Sequence, residues 1–302
     1  MDDTLIAWRV VHYLATIEAA GVVFFSAFVL PDYVSRQLSQ ALRLMFWASL
    51  AVAFVSGVGW FLALAAAIDG ETMATTLSDG TAAALVSGTQ FGRVWIVRAM
   101  AGAALAACAV ATGPAAKIMA VAAAAIFVGG LAFAGHAAGG ADWKGNIHLV
   151  ADILHVLAAT LWLGGLLPYA ICLGLAAEPD GFQSAACLRQ VTRRYSNMAM
   201  VAVVAIVSTG IINTFNLVAG LRLLAFTDYG RLLLLKLAVF LAMLALAAAN
   251  RFVFAPRIWQ QSAISAIRRN TMIEVGLGLA IIAIVSVLGT MAPPLTDVPM
   301  PR

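Results

Sequence analysis

Apolar runs of about twenty residues recur from one end of this chain to the other. A run of this length can cross a bilayer as a helix, because each helical residue adds about 1.5 Å and the hydrocarbon core is about 30 Å thick. The 302 residues are 63% hydrophobic and only 11% charged, and no segment between the runs is long enough to bury a core of its own. The sequence therefore predicts an all-α, polytopic membrane protein whose single domain spans residues 1–302.

Eight transmembrane helices are predicted, at about 5–30, 41–68, 90–112, 115–135, 147–175, 195–220, 229–255 and 268–292. The first run continues to Leu30 without a small-residue cleavage pattern. It is therefore interpreted as a membrane helix and not as a signal peptide.

Lysine and arginine are distributed unequally over alternate loops, which predicts the orientation, because cytoplasmic loops are enriched in these residues. The loops after odd-numbered helices are the richer set, with Arg36, Arg43, Lys117, Arg189, Arg193, Arg194, Arg251, Arg257, Arg268 and Arg269. The remaining loops and the termini contain Arg9, Arg93, Lys144, Arg222, Arg231 and Arg302. Both termini are thus predicted to be periplasmic, in an inner membrane.

The net charge of +4 does not indicate a nucleic-acid partner, because the basic residues are scattered and form no clustered patch. The three cysteines, Cys108, Cys172 and Cys187, have neither zinc-site nor disulfide-framework spacing. The expected environment of the chain is the lipid bilayer.

Three short patterns occur twice in the same order. The first and fifth helices share HxLAx5G, from His12 to Gly21 and from His155 to Gly164. The third and seventh share an aromatic-Gly-Arg triplet followed after four residues by a cation, and the second and sixth share a hydroxyl residue before glycine. In the third and seventh helices these residues are Phe91-Gly92-Arg93 with Arg98 and Tyr229-Gly230-Arg231 with Lys236. In the second and sixth helices they are Ser56-Gly57 and Thr209-Gly210. The repeat predicts two parallel four-helix halves, at about 1–140 and 141–302.

Ionisable residues inside the predicted spans are candidates for function, because each costs free energy to insert into a membrane. They are His12, Glu18, Arg98, Asp152, His155, Lys236 and Glu274. Helix rise places the two histidines and the two cations of the repeat on the order of 10 Å from the outer ends of their helices. Four helices are thus expected to contribute polar groups to one layer.

The fifth helix carries the densest pattern of potential metal ligands. His148, Asp152 and His155 stand at i, i+4 and i+7, and therefore share one helix face. His136 precedes this helix by one short loop and can approach the same face. Imidazole with carboxylate suits divalent copper, zinc, nickel or iron, so the ligand type alone does not select one metal.

The predicted metal ligands are His136, His148, Asp152, His155 and His12, and the predicted transport-path or coupling residues are Glu18, Arg98, Lys236, Asn213 and Glu274. A purely structural interpretation stands beside this one. The histidines can be hydrogen-bonded bundle residues, and Arg98 and Lys236 can neutralise Glu18 or Asp152 in ion pairs.

The chain resembles the bacterial copper resistance protein D (CopD) family nearly from end to end. The residues that carry the resemblance are Gly135-His136-Ala137, the face of the fifth helix followed by Trp162-Leu163-Gly164-Gly165-Leu166, Tyr229-Gly230-Arg231 with Lys236, Asn250-Arg251, and Glu274 followed by Leu288-Gly289 and Pro293-Pro294. The word copper comes from this resemblance and not from the spacing of the ligands.

The resemblance implies an eight-helix inner-membrane protein that moves copper from periplasm to cytoplasm beside CopC, a periplasmic copper-binding partner. On this interpretation the protein is not an enzyme, and copper is its cargo. Monomer and homo-oligomer both remain open. Glu18, Asp152 or Glu274 are the carboxyl groups that can couple the movement to protons.

Two other functional classes remain open. Four-helix membrane bundles often hold haem b between histidines on two helices, and His12 with His155 at equal depth suits one iron. Arg98 and Lys236 would then face the propionates. Alternatively, the bundle only docks a periplasmic copper carrier, and its polar layer is structural.

Overall fold

The chain is a bundle of helices in a computed structural model that describes residues 3–32, 34–135, 143–176, 185–218 and 220–294. The long helices are α1 (Asp3–Phe28), α2 (Arg36–Asp69), α5 (Gln90–Val110), α6 (Pro114–Gly129), α7 (Trp143–Ala176), α8 (Ala185–Leu217), α10 (Asp228–Ala249) and α11 (Gln261–Leu288). The short ones are α3 (Met73–Ser78), α4 (Thr81–Gly88) and α9 (Leu221–Phe226). Over the described segments, eight helices are long and apolar enough to cross a membrane. The prediction of an all-α, polytopic membrane protein is confirmed.

Several helices begin earlier than their hydropathy indicates. α2 begins at Arg36, where the Leu38 amide donates to the Ser35 hydroxyl at 3.2 Å and so caps the helix. α8 begins at residue 185 and α11 at residue 261, about ten and seven residues before the predicted starts. The extension of α8 contains arginines such as Arg189 and Arg193, which lower the local hydropathy but are good helix formers.

The aromatic-Gly-Arg repeat marks the start of a long helix that follows directly on a short one. The Thr89 hydroxyl accepts from the Gly92 amide at 3.0 Å and donates to a carbonyl of α4 at 2.7 Å. The Thr227 hydroxyl likewise accepts from the Gly230 amide at 3.0 Å and donates to a carbonyl of α9 at 2.6 Å. Neither glycine has room for a Cβ, because the backbone of the short helix lies against it. The same local fold therefore requires the same residues at both places.

The centre of the bundle is the crossing of α1 and α7, which are the most buried of the eight spans. The two helices touch through the repeated glycines: a Cβ on Gly21 would lie 2.3 Å from the carbonyl oxygen of Gly164. Backbone contact of this kind is how small residues bring membrane helices close together. α10 is the least buried span and lies at the periphery.

The C-terminal end of α10 is irregular. The helix continues as a π-helical turn, Asn250–Phe254, and then as a 3₁₀ turn, Ala255–Arg257. Pro256 has no amide hydrogen for the next α-helical bond, so the α-helix cannot continue through this segment unchanged. π-helical turns inside helices often occur at functional sites.

We expect Gly21→Ala to destabilise the protein, because the added methyl group would clash with the backbone of Gly164. Overpacking of this kind costs about 1–3 kcal/mol, and the thermal unfolding midpoint of detergent-purified protein would fall. Gly276→Ala is the matched control, since no atom lies within 4 Å of a Cβ at that helical glycine. Equal midpoints for the Gly21 variant and wild type would contradict the close crossing.

Candidate functional site

His12 of α1 is buried among aromatic rings in the first half of the chain. Its Nδ1 lies 3.0 Å from the carbonyl oxygen of Ala53 on α2. The ring stacks against Trp95 and lies beside Trp60, with centroid distances of 5.4 Å in both cases. A carbonyl can only accept, so Nδ1 carries the ring proton and Nε2 has a lone pair.

That lone pair is occupied by Arg98 of α5. The Arg98 Nη2 donates to His12 Nε2 at 2.7 Å, and its Nε donates to the carbonyl oxygen of Phe127 at 3.0 Å. The guanidinium group is buried and packs on the ring of Trp95. A metal ion could bind His12 only if Arg98 moved away, so His12 as a ligand stays a prediction that this geometry does not favour.

His155 of α7 is oriented in the same way in the second half of the chain. In contrast to His12, no cation donates a hydrogen bond to its Nε2 among the described residues. Its Nδ1 lies 3.0 Å from the hydroxyl oxygen of Thr209 on α8. That hydroxyl donates to the Ala205 carbonyl at 2.6 Å, so it accepts from Nδ1–H of the histidine. His155 Nε2 therefore has a lone pair, and within the described residues no hydrogen bond occupies it.

Asp152 lies one turn before His155 and is joined to α8 by Asn213. The amide nitrogen of Asn213 donates to Asp152 Oδ1 at 3.1 Å. The amide oxygen of Asn213 is buried and has no hydrogen-bond partner in the described part of the chain. His148 lies one turn further out on α7 and is also buried. The face that α7 shares with α8 thus carries the carboxylate of Asp152, the imidazole of His155 and the amide oxygen of Asn213.

Lys236 of α10 is half-buried and lies within electrostatic range of Asp152 and His155. Where the structure describes the chain, the ammonium group makes no hydrogen bond and no ion pair within 4 Å. Arg98 is the cation at the matching position of the first half, where it donates to His12 and to the carbonyl oxygen of Phe127. The same position of the repeat therefore has two different roles.

Arg9 was predicted to lie among the loops and termini, and this prediction is wrong. The structure buries it inside α1, where its guanidinium donates to the hydroxyl of Tyr13 at 3.1 and 3.2 Å and packs over Trp60. Its charge is also within range of Asp152. The signal was present, because Arg9 precedes His12 by three residues just as Asp152 precedes His155.

The described residues contain no group of three or more His, Cys, Asp and Glu side chains close enough to hold one metal ion. His136, the predicted ligand before α7, lies outside them. Two ligands from α7 and the amide oxygen of Asn213 remain as a partial set. Such mixed nitrogen and oxygen donors suit divalent copper or zinc.

A second polar cluster lies further along the bundle, around Glu274 of α11. The amide of Asn250 donates to Glu274 Oε1 at 2.9 Å, and Asn270 donates to Asn250 Oδ1 at 2.9 Å. Trp162, Asn250 and Glu274 border a cavity of about 170 Å³ between α7, α8, the π-helical turn and α11. A buried carboxyl group therefore opens onto a space large enough for water or a small ion.

Glu18 of α1 is half-buried, and its Oε1 has no hydrogen-bond partner among the described residues. It forms no ion pair with Arg98, whose guanidinium is used by His12 and Phe127. The interpretation of Arg98 as a partner of Glu18 is thus not what the structure shows.

The chain is similar to known proteins over most of its length. Residues 189–288 match the family described as Copper resistance protein D, and residues 1–146 match Copper resistance protein D-like, N-terminal domain. Inner membrane protein YebZ of Escherichia coli (strain K12) is 29% identical over 96% of this chain and 98% of its own length. No solved structure matches significantly.

Two further relatives carry copper in their names. Copper transport protein CutJ of Bacillus subtilis (strain 168) is 29% identical over 56% of this chain and 30% of its own length. Copper resistance protein D of Pseudomonas syringae pv. tomato is 30% identical over 69% of this chain and 71% of its own length. With this identity and coverage, and with family matches in both halves, the chain belongs to the copper resistance protein D family.

Proposed function

We propose that this protein transports copper across the bacterial inner membrane, from periplasm to cytoplasm, as cargo and without catalysing a chemical reaction. The family and the names of its relatives support copper as the cargo, and the eight spans and the name of one relative support the inner membrane. The arrangement of lysine and arginine supports a topology with both termini in the periplasm.

The observation that carries the proposal is the polar face that α7 shares with α8. Asp152, His155 and Asn213 offer a carboxylate, a nitrogen lone pair and a buried oxygen without a hydrogen-bond partner. Buried polar groups are normally hydrogen-bonded, so acceptors without donors indicate that a cation completes the site. The Thr209 hydroxyl fixes the histidine with Nε2 as the binding atom.

The path follows α7 inward. Copper is delivered to His136 and His148, passes to Asp152 and His155, and leaves past the cavity beside Glu274. In the proposed topology the N-terminal end of α7 is periplasmic, so the outer ligands meet the ion first. Glu18 and Glu274 are the buried carboxyl groups available for coupling.

A periplasmic copper-binding protein of CopC type is the proposed donor, because the outermost proposed ligands lie at the periplasmic end of α7. We also propose that the two halves, about 1–140 and 141–302, form one membrane domain around the α1–α7 crossing. The matched contacts of Thr89 and Thr227 and of the two glycines at the crossing support this division.

The haem alternative is less well supported. His12 faces α2 and α5, whereas His155 faces α8, so each ring is bonded within its own half. One iron between them would require Arg98 to leave Nε2 of His12. The alternative of a docking protein without transport predicts that the polar layer binds no metal.

We expect detergent-purified protein, loaded with copper and washed, to retain copper near one ion per chain, and His155→Ala to lose it. Elemental analysis of copper and iron measures both outcomes. Asn216→Ala is the control, because Asn216 is exposed and bonds only to its own helix. Copper retained by the His155 variant would exclude this site, bound iron would favour haem, and neither metal would favour a docking protein.

We expect Thr209→Val to weaken copper binding by about 10- to 100-fold, because the histidine loses the group that orients it. Thr214→Val is the matched control, since the Thr214 hydroxyl also bonds to its own helix, at 2.8 Å, without contacting a proposed ligand. Competition with a copper chelator gives both affinities. Equal losses in the two variants would show that Thr209 has no orienting role.

A further inference from the structure

The two halves of the repeat differ in charge at matched positions. In the first half, Arg9 stands three residues before the histidine, and Arg98 is the cation that follows the aromatic-Gly-Arg triplet. In the second half, the corresponding residues are Asp152 and Lys236. The first half therefore surrounds its histidine with two cations, whereas the second half has one anion and one cation. Because like charges repel a metal ion, only the second half suits one.

The cations also differ in how firmly they are held. Arg98 donates to the histidine and to a backbone carbonyl, and Arg9 donates twice to Tyr13. Lys236 has no such hydrogen bond within the described segments. Lysine is a compact charge on a flexible stem, whereas the planar, permanently charged arginine binds in a fixed geometry.

Packing between α7 and α10 places Lys236 beside the proposed metal site. Phe240, one turn after Lys236, packs edge-on against Trp162 with a centroid distance of 5.9 Å and an interplanar angle of 84°. Trp162 lies two turns after His155, on the same face of α7. The face of α10 that carries Lys236 is therefore the face that meets the histidine.

We propose that Lys236 is a built-in competitor of the metal ion. Its ammonium group balances Asp152 in the empty protein and withdraws when the ion binds, whereas Arg98 at the matching position keeps the first half closed. This inference rests on the proposed copper site at Asp152 and His155. It explains why the repeat has arginine in one half and lysine in the other: only the unbonded, flexible cation can leave.

The proposal makes opposite predictions for two substitutions. Lys236→Met removes the competing charge, so copper affinity should rise on the order of tenfold. Lys236→Arg recreates the first-half arrangement, so the guanidinium should bond to His155 Nε2 and copper binding should be lost. Arg231→Met is the control, because it removes one positive charge from an exposed position of the same helix and should leave the affinity unchanged.

The test uses the full chain in detergent, titrated with Cu(I) and separately with Cu(II) against a chromogenic chelator. A copper affinity equal to that of wild type in Lys236→Met or in Lys236→Arg would overturn the proposed role of Lys236. It would leave the proposed copper site standing. If Lys236→Arg does not fold, the Met variant still decides, because misfolding cannot produce a gain of affinity. Wild-type binding by Asp152→Asn and His155→Ala together would instead refute the copper site itself.

Discussion

The backbone contact between Gly21 and Gly164 is the constraint on which the rest of the bundle depends. It brings α1 and α7 together without intervening side chains, so these two helices become the buried axis of the protein. His12 and His155 each lie nine residues before their glycine. The crossing thereby fixes the position of both histidines, and each ring then turns outward to the next helix of its own half.

The second helix of each pair fixes the histidine tautomer in the same way. Ser56 and Thr209 each donate to a carbonyl one turn earlier on their own helix, so the oxygen can accept from a ring nitrogen. In the first half the carbonyl of Ala53 contributes as well. Both histidines therefore direct Nε2 away from the helix that carries the serine or threonine. At the histidine ring itself, the halves differ in what meets Nε2, and this difference separates a closed structural site from an open one.

Trp162 of α7 links the site with the irregular end of α10. Trp162 belongs to both regions, because it packs against the helix that carries Lys236 and lines the cavity beside Glu274. The π-helical turn begins at Asn250, which links Glu274 to Asn270. Irregular backbone inside a membrane protein is tolerated where it is buried or lines a cavity, and this turn borders one.

The sequence by itself determined the class of fold, the eight spans, the family and the pairs of repeated motifs. These follow from hydropathy and from short spacings, because a membrane requires long apolar helices and a repeated local fold requires the same residues. The sequence also selected His12, Asp152 and His155 as unusual. It treated the two histidines as equivalent, however, and it assigned Arg9 to the periphery.

Only the tertiary structure decided which histidine is open. The occupancy of Nε2 depends on whether a cation from α5 or α10 reaches it, and each cation is more than eighty residues distant in sequence from the histidine of its half. The burial of Arg9 and the cluster of Asn250, Asn270 and Glu274 depend likewise on contacts between helices. Hydropathy measures how apolar each segment is, but hydrogen bonds between segments are set by how the helices pack.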